Sequence, residues 1–360
     1  MIIALKVRGA MHKESVLALH LLVMIVFLTL IISNLNHTLT TVHADNNNKD
    51  LNNQSLIRTT QSPTYSNNGI IHGAMTDEFG REDGNADLVN KFNNLAGKKI
   101  GVAYFSDNWF NGIHFPTDKC ISIRSTGAVP FMRIQNWIRE GDQLSDAGPY
   151  THKNITAGMF DDQLRAYAKA AKRFGTTLLI EYGVEINGNW FPWSQEGPEP
   201  YKAAYRHIVN LFREEGATNV RWAFHVDATD NNNGYKWYPG DDIIDWVGTS
   251  CYGAPGYGQH GCISELNRVW NSFSNISKTK PLGIFEWGIG VPADTANVLH
   301  TVATDPKFSR IKLLQVWNER DLPGHPEDLV PDGRINVSPE NLKAYRDGIA
   351  NPAYVSVYHD

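Results

Sequence analysis

A short stretch of the chain places one carboxylate beside several aromatic rings. The stretch Val184 to Ser194 reads VEINGNWFPWS and contains Glu185, Trp190 and Trp193. A carboxyl group that is partly removed from water keeps its proton near neutral pH and can donate it to a leaving oxygen. Flat indole rings can in turn hold a pyranose sugar. The stretch therefore indicates either a sugar site with Glu185 as the proton donor, or a buried acid beside tryptophans that pack in the core.

A second carboxylate, Glu286, ends the apolar run of GIFEWG. Cleavage of a glycosidic bond uses two carboxyl groups: one protonates the leaving oxygen, and the other attacks the anomeric carbon or activates a water. Tyr252 is placed to hydrogen-bond and orient Glu286. The alternative for each glutamate is an ion pair with an arginine such as Arg133. Because double displacement needs only two carboxyls, no cofactor is expected, and no Cys or His cluster has metal-ligand spacing.

The elements that must position these residues alternate along the chain. Apolar runs rich in Val, Ile, Phe and Trp predict eight strands, and two amphipathic segments between them are clear helices that stop at Gly175 and Gly216. Alternating strands and helices predict one (β/α)8 barrel over residues 69–360, with a doubly wound open sheet as the rival. The predicted strands span 69–77, 99–107, 128–136, 176–186, 219–228, 243–253, 280–289 and 312–319, and the helices lie within 159–175 and 200–216.

Active sites of such barrels lie at the C-terminal ends of the strands. Nearly every predicted strand ends in polar or aromatic residues, which a purely structural barrel does not need. Both glutamates are thereby expected at one mouth, and Trp109, Asn187 and His225 are expected among the side chains that contact a ligand there. The residues at the strand ends are Asp77, Asp107, Trp109, Gln135, Asn136, Glu185, Asn187, His225, Asp227, Tyr252, Glu286, Trp287, Trp317 and Glu319.

The N-terminal part of the chain is not expected to belong to the barrel. A basic flank, an apolar run over residues 16–33 and the sequence TVHA before Asp45 indicate a signal peptide over residues 1–44, or an uncleaved N-terminal membrane anchor. Residues 45–68 are rich in Asn, Gln, Ser and Thr and predict a disordered linker. Both alternatives predict a barrel that is secreted or tethered at the extracellular face of the membrane.

Net charge indicates the class of partner to expect, and cysteine spacing indicates a possible disulfide. The formal net charge of -5 gives no reason to expect a nucleic acid, so the expected partner is a polysaccharide substrate, bound by a monomer. Of the three cysteines, Cys251 and Cys262 lie close together in the chain and could form a disulfide outside the cell. Three unpaired thiols are the alternative.

Three stretches carry a resemblance to a known family. VEINGNWFPW, YPGDDIIDWVGTSCYG and PLGIFEWG resemble glycoside hydrolase family 26, whose best-known members are β-mannanases and which includes β-1,3-xylanases and mixed-linkage β-glucanases. The resemblance covers roughly residues 69–350 and implies a retaining barrel with Glu185 as acid/base and Glu286 as nucleophile. It also implies that Tyr252 orients the nucleophile. The residues implied to line the sugar cleft are Trp190, Trp193 and Trp317.

The chain departs from the family pattern just before the acid/base. The family typically has Arg-x-x-His-Glu, whereas here Glu181 and Val184 replace the arginine and the histidine. We expect Val184 to lie beside the sugar without donating a hydrogen bond. His225, with Asn187 behind it, is the expected replacement for the lost contact, and Glu181 is expected to turn toward Arg133.

The resulting expectation is a retaining, endo-acting glycoside hydrolase that cleaves a β-linked polysaccharide. The resemblance favours β-1,4-mannan, with β-1,3-xylan and mixed-linkage β-glucan as alternatives. Two other classes stay open: a non-catalytic carbohydrate-binding or surface-assembly protein built on a decayed hydrolase, and a transglycosylase that makes surface glycan. A retaining enzyme should hold the carboxyl groups of Glu185 and Glu286 about 5–5.5 Å apart.

Overall fold

The computed structural model describes residues 69–76, 84–136, 148–228, 234–252, 261–288, 290–319 and 332–359. The predicted leader, the predicted linker and Asp77 lie outside these residues. Within the described part of the chain, no helix is both long enough and apolar enough to cross a bilayer.

Eight parallel strands close into a barrel. Each overlaps the apolar run that predicted it, and the pairing order β2-β3-β4-β5-β6-β7-β8-β1 is completed by β1 against β2. This closure confirms the predicted (β/α)8 barrel and excludes the open sheet. The strands are β1 (Ile70–Met75), β2 (Val102–Asn108), β3 (Val129–Gln135), β4 (Leu178–Tyr182), β5 (Val220–Asp227), β6 (Trp246–Ser250), β7 (Leu282–Trp287) and β8 (Ile311–Trp317).

Helices on the outside cover the barrel. Both predicted helices are present, as Asp161–Phe174 and Pro198–Glu214, and each turns its apolar stripe inward. The first ends at Gly175, whose φ of 79° is left-handed and suits glycine. The other helices are Ala86–Ala96, Thr117–Ser125, His152–Thr156, Gly234–Trp237, Cys262–Ser274, Pro292–Thr304 and Pro339–Ile349, with 3-10 turns at Trp109–Asn111, Pro192–Ser194 and Pro306–Phe308.

The barrel interior has an apolar floor. Phe285 lies at its centre, where its ring occupies the space left by Gly248 and Gly283, and a β-carbon at either glycine would overlap that ring. Glycine at these two positions is therefore required by close approach. The floor consists of Ile71, Met75, Val102, Tyr104, Phe131, Leu179, Ala223, Trp246, Phe285 and Leu313.

A charged layer lies directly above this floor. Arg133, Glu181 and His225 each follow an inward-facing apolar residue of the same strand by two positions. Since side chains alternate along a strand with a period of two, these three also face the interior. All three are buried, so the upper barrel encloses polar groups that must satisfy one another.

The C-terminal segment closes the opposite end of the barrel. A short strand, β9 (Tyr354–Val355), pairs in parallel with the start of β1, and the Trp246 indole N–H donates to the Tyr358 hydroxyl at 3.3 Å. A strand of two residues is too short for a periodic pattern to predict it. Its role is to cover the floor of the barrel from below.

Candidate active site

The candidate nucleophile, Glu286, lies at the end of β7, where the strand register is irregular. Pairing with β6 shifts at Thr249/Ser250, and pairing with β8 shifts between Ile284 and Trp287. Because of this irregularity, the consecutive residues Phe285 and Glu286 both reach the barrel interior. Phe285 contributes to the floor, and Glu286 joins the charged layer above it.

Two donors hold the two oxygens of Glu286. Nη1 of Arg133 donates to Oε1 at 3.0 Å, and the Tyr252 hydroxyl donates to Oε2 at 2.8 Å. The expected contact from Tyr252 is therefore present. The Arg133 ion pair that was the alternative for this glutamate is present as well, and both contacts favour the ionised carboxylate.

The surroundings of Glu286 act on its ionisation in opposite directions. Burial raises its pKa, the positive charge of Arg133 lowers it and the negative charge of Glu185 raises it, and the net result is a pKa raised from 4.5 to about 7. The effect of Glu185 on Glu286 also shows that the two carboxylates lie within electrostatic reach of each other. A carboxyl group with this pKa is about half ionised at neutral pH and becomes mostly protonated in mild acid.

The candidate acid/base, Glu185, lies in a turn, not at the end of a strand as predicted, because β4 ends at Tyr182. Its φ of 49° is the only positive value of a non-glycine residue in the described ranges. Such a backbone costs about 1–3 kcal/mol and persists where its surroundings enforce it. The amide of Gly188 donates to the Glu185 carbonyl at 2.9 Å, which closes the turn and fixes the side chain.

Trp190 is the aromatic partner of Glu185. Its indole N–H donates to Oε2 of Glu185 at 2.8 Å, and its ring lies on Gly188, where a β-carbon would overlap it. The Trp190 side chain is 41% exposed, so one face can meet a ligand. Trp317, at the end of β8, is half-buried beneath the Arg133 guanidinium at 5.0 Å from the ring centroid. These two tryptophans keep their predicted place at the mouth.

The other two predicted platforms, Trp193 and Trp109, are fully buried, which corrects the expectation that they contact sugar. The Trp193 indole donates to the carbonyl of Val184 at 2.7 Å, and its ring stacks on Phe191. Trp109 packs edge-on against Tyr150. Both rings pack in the apolar core behind the site and are not accessible to solvent.

His225 and Val184 also differ from expectation. His225 is buried in the charged layer, with Nδ1 3.0 Å from Oε2 of Glu181 and Nε2 2.9 Å from the Ser250 hydroxyl, so it does not replace the missing sugar contact. The Val184 side chain packs in the apolar core outside the barrel. Glu181 bonds to His225 rather than to Arg133, because the guanidinium is already paired with Glu286.

Asn187 links two strand ends. Its amide nitrogen donates to the Asp227 carbonyl at 3.0 Å, and its amide oxygen accepts from the Asp227 backbone N–H at 2.7 Å. Glu185 lies in a turn, and this pair of bonds attaches that turn to the end of β5. Asn187 therefore positions the acid/base turn and does not stand behind His225 as a spare ligand contact.

Three functional side chains were missed or underrated from the sequence: Tyr104, Ser250 and Arg133. Tyr104 lies in the floor, and its hydroxyl bonds to Glu181 and lies 3.3 Å from Oε1 of Glu286. The signal that could have found them was polar character at inward positions of strands β2, β3 and β6. Among the described residues, no group of His, Cys, Asp and Glu is arranged to hold a metal ion.

A disulfide joins Cys251 to Cys262, with a Cα–Cα distance of 4.9 Å. The bond connects the end of β6 to the start of the helix Cys262–Ser274 and lies next to Tyr252 in the chain. The backbone N–H of Cys251 also donates to the Glu286 carbonyl at 2.9 Å. Of the two alternatives for the cysteines, the structure contains the bonded pair, while Cys120 is free and buried.

Comparison with known proteins gives curated relatives of low identity. Endoglucanase H of Acetivibrio thermocellus is 26% identical over 281 residues, covering 72% of this chain and 29% of the relative. Beta-1,3-xylanase TXYA of a Vibrio species is 29% identical over 107 residues, covering 29% and 22%. Mannan endo-1,4-beta-mannosidase A and B of Caldalkalibacillus mannanilyticus is 26% identical over 159 residues, covering 41% and 29%. The chain spans less than a third of each relative.

Solved structures share the fold. The catalytic domain of a GH26 endo-beta-1,4-mannanase from Bacillus sp. JAMB-750 matches with a TM-score of 0.60 at 20% identity, covering 81% of this chain and 88% of that one. A GH26 beta-mannanase from Bacteroides ovatus matches with a TM-score of 0.57 at 18% identity, covering 80% and 90%. Residues 151–293, which contain both candidate catalytic glutamates, match the sequence profile described as glycosyl hydrolase family 26.

Proposed function

We propose that this protein is a retaining, endo-acting β-glycanase. The observation that carries the proposal is the pairing of two carboxylates in different surroundings: Glu286, held by Arg133 and Tyr252, and Glu185, held by a partly exposed Trp190. An ionised, oriented carboxylate suits nucleophilic attack, and a carboxyl group beside an aromatic ring suits proton donation. The match of residues 151–293 to glycosyl hydrolase family 26 and the names of the relatives support the same class.

The proposed reaction proceeds in two displacements. Glu185 gives its proton to the glycosidic oxygen while Glu286 attacks the anomeric carbon, so that the leaving sugar departs and a glycosyl ester forms on Glu286. Glu185, now a carboxylate, then takes a proton from water as the water oxygen attacks the same carbon. The ester bond breaks, and Glu286 returns as a carboxylate. Trp190 and Trp317 would hold sugar rings on either side of this centre.

β-1,4-Mannan is the first substrate that we propose, because curated relatives and solved neighbours are named as mannanases. Mixed-linkage or other β-glucan is the second candidate. It is favoured by the match to Endoglucanase H, which extends over 72% of this chain, and by Val184, whose side chain offers no polar contact where the family typically has histidine. β-1,3-Xylan follows from the xylanase relatives.

The test is hydrolysis of a panel of mannan, mixed-linkage glucan and β-1,3-xylan by the purified protein, with the anomer of the first product followed by NMR. We expect release of β-anomeric oligosaccharides from one of the three. Glu286→Gly should lower turnover roughly 10⁴-fold or more, since the nucleophile is lost, and azide should restore part of it. Glu286→Gln, which cannot admit azide, is the matched control. Release of the α-anomer, or no hydrolysis of any polysaccharide, would contradict the proposal.

We also propose that the barrel acts outside the cell as a monomer, exported or tethered through residues 16–33. The Cys251–Cys262 disulfide supports an oxidising compartment. Fractionation of cells that express the full chain, followed by light scattering of the purified protein, tests both points. Recovery in the cytosol, or a stable oligomer, would contradict them.

A further inference from the structure

Beneath the two candidate catalytic carboxylates lies a third one, Glu181, which the proposed chemistry does not use. Glu181 is fully buried in the upper barrel. Arg133, on the neighbouring strand, bonds to Glu286 instead. The contacts of Glu181 are the Tyr104 hydroxyl and Nδ1 of His225. A carboxylate buried without a counter-charge is strongly unfavourable, so one of these neighbours has to supply the charge.

A protonated His225 can supply the positive charge that balances Glu181. It is as deeply buried as Glu181, and each ring nitrogen has an oxygen within hydrogen-bond distance: Oε2 of Glu181 at 3.0 Å and the hydroxyl of Ser250 at 2.9 Å. Both N–H groups of an imidazolium would therefore be satisfied. A phenol such as Tyr104 stays neutral here, since burial and the charges of Glu181 and Glu286 raise its pKa.

The charged groups around His225 come from three strands. Glu181 lies on β4 and Glu185 follows that strand, Glu286 lies on β7, and Arg133 lies on β3. The hydroxyl that contacts His225 belongs to Ser250 on β6 and is neutral. Burial lowers the pKa of His225, but the three carboxylates outweigh burial and raise it above 6.5, with Glu181 contributing most. The surroundings thus favour the imidazolium, which both hydrogen bonds can accommodate.

We propose that Glu181 and His225 form a permanent carboxylate–imidazolium pair that balances the buried charge beneath the nucleophile and keeps Glu286 ionised during the reaction. The proposal rests on the proposed hydrolase function. Neither residue touches the sugar, so both are positioning residues that act through the electrostatic field and through Tyr104. In this proposal the pair determines the pH below which hydrolytic activity is lost.

The charge count explains why the pair is needed. Before reaction, Arg133 balances Glu286, His225 balances Glu181, and Glu185 is neutral. After the first displacement Glu286 is an uncharged ester, while Glu185 has become a carboxylate that Arg133 now balances. The layer is neutral in both states only if His225 is protonated. With a neutral His225 the layer would carry one uncompensated negative charge throughout, and that charge would oppose ionisation of Glu286.

The test compares the pH dependence of kcat/KM in the wild type, in a single variant and in a double variant. His225→Gln removes the cation and leaves Glu181, so the acid limb should move up by about one pH unit and kcat/KM at acidic pH should fall roughly tenfold. Glu181→Gln/His225→Gln removes both charges and keeps an oxygen that accepts from Tyr104. Its acid limb should return to within a few tenths of a unit of wild type.

The matched control is His207→Gln, which breaks an equally close but half-exposed histidine–carboxylate contact to Asp161 at 2.7 Å. It should leave the acid limb in place. An unshifted acid limb in His225→Gln would overturn the proposal, and so would a double variant shifted as far as the single one, because a purely structural role predicts that outcome.

A second measurement does not depend on the variants folding or on activity. In ¹⁵N NMR of the wild-type protein, one buried histidine should keep both ring nitrogens protonated above pH 7, where the exposed histidines have become neutral. Finding no such imidazolium would overturn the pair even if hydrolysis is observed. Finding it in a protein that cleaves no polysaccharide would support the pair and contradict the proposed function, so the two failures are distinguishable.

Discussion

The two sides of the barrel mouth hold carboxylates in opposite ways. On the β7 side, Glu286 lies on a strand, is bonded to Arg133 and Tyr252, and adjoins a disulfide. On the β4 side, Glu185 lies beyond the strand end, in a turn with a left-handed backbone, beside a tryptophan that is partly exposed. The first carboxylate is held by donors from other strands. The second is also buried, but its partner Trp190 is partly exposed.

The difference matches what two displacements require of two chemically identical groups. A nucleophile has to be ionised and aimed at one carbon, whereas an acid/base has to exchange a proton with a leaving group and later with water. Donors from several strands achieve the first, and a turn closed by its own backbone achieves the second. The environment, not the residue type, separates the two roles.

The largest expected break in this comparison comes from Glu185→Ala. Turnover of polysaccharide, whose leaving oxygen needs a proton, should fall roughly 10²- to 10⁴-fold. Formation of the glycosyl ester from an aryl glycoside with an acidic phenol should stay near wild type, because that leaving group departs without help. Trp190→Phe, which removes only the indole N–H donor, is the control and should have a smaller effect. Equal losses on both substrates would contradict the acid/base role.

Tyr252→Phe should sharpen the comparison on the other side. The variant removes one of the donors to Glu286, and a hydrogen bond to a charged group contributes about 1.5–3 kcal/mol, so kcat/KM should fall roughly 10- to 100-fold. In the wild type the pKa of Glu286 is about 7, so activity should be lost as the pH drops below that value. Loss of the donor should raise this pKa and move the acid limb upward.

The control for Tyr252→Phe is Tyr238→Phe, which removes a comparable bond to Asp241 of 2.6 Å at the protein surface. It should leave the pH profile and kcat/KM unchanged. A Tyr252→Phe profile that coincides with the wild-type profile would show that the bond from Tyr252 does not set the ionisation of Glu286.

The smallest catalytic effect is expected from opening the disulfide. Cys251→Ser/Cys262→Ser frees a loop of about eleven residues, which should lower the free energy of unfolding by about 2–4 kcal/mol in chemical denaturation. Activity should fall less than in Tyr252→Phe, because the backbone bond from residue 251 to Glu286 remains. Cys120→Ala, which keeps the disulfide, should still lose stability on reduction. If the denaturation midpoint of the wild type is the same with and without reductant, this prediction is wrong.

The fold was predictable because its signals are local. Apolar runs marked all eight strands, and the alternation with helices implied parallel closure. The positions of Glu286, Tyr252, Trp190 and Trp317 followed from the rule that barrel sites lie at strand ends. These features depend on neighbours in the sequence, or on topology alone.

What could not be predicted depends on packing between distant residues. Trp193 and Trp109 have the residue type of a sugar platform, and only the tertiary structure shows that their rings are buried. Arg133 on β3 has Glu181 on the adjacent strand β4 and Glu286 across the barrel on β7, and only the tertiary structure shows that it pairs with Glu286. Glu181 contacts His225 on β5 instead, a pairing that no local pattern in the sequence predicts.

The short strand β9 has a consequence for how the domain assembles. Ile70 pairs with Tyr354, so the sheet joins the first strand of the barrel to a segment almost three hundred residues later in the chain. Contacts of such long separation form late and slow the folding of a domain, because chain entropy is lost before they are made. During synthesis from the N-terminus, β1 has to wait for both β8 and β9 before its edges are covered. The interval before closure is the time at which this protein is most exposed to aggregation and to proteases.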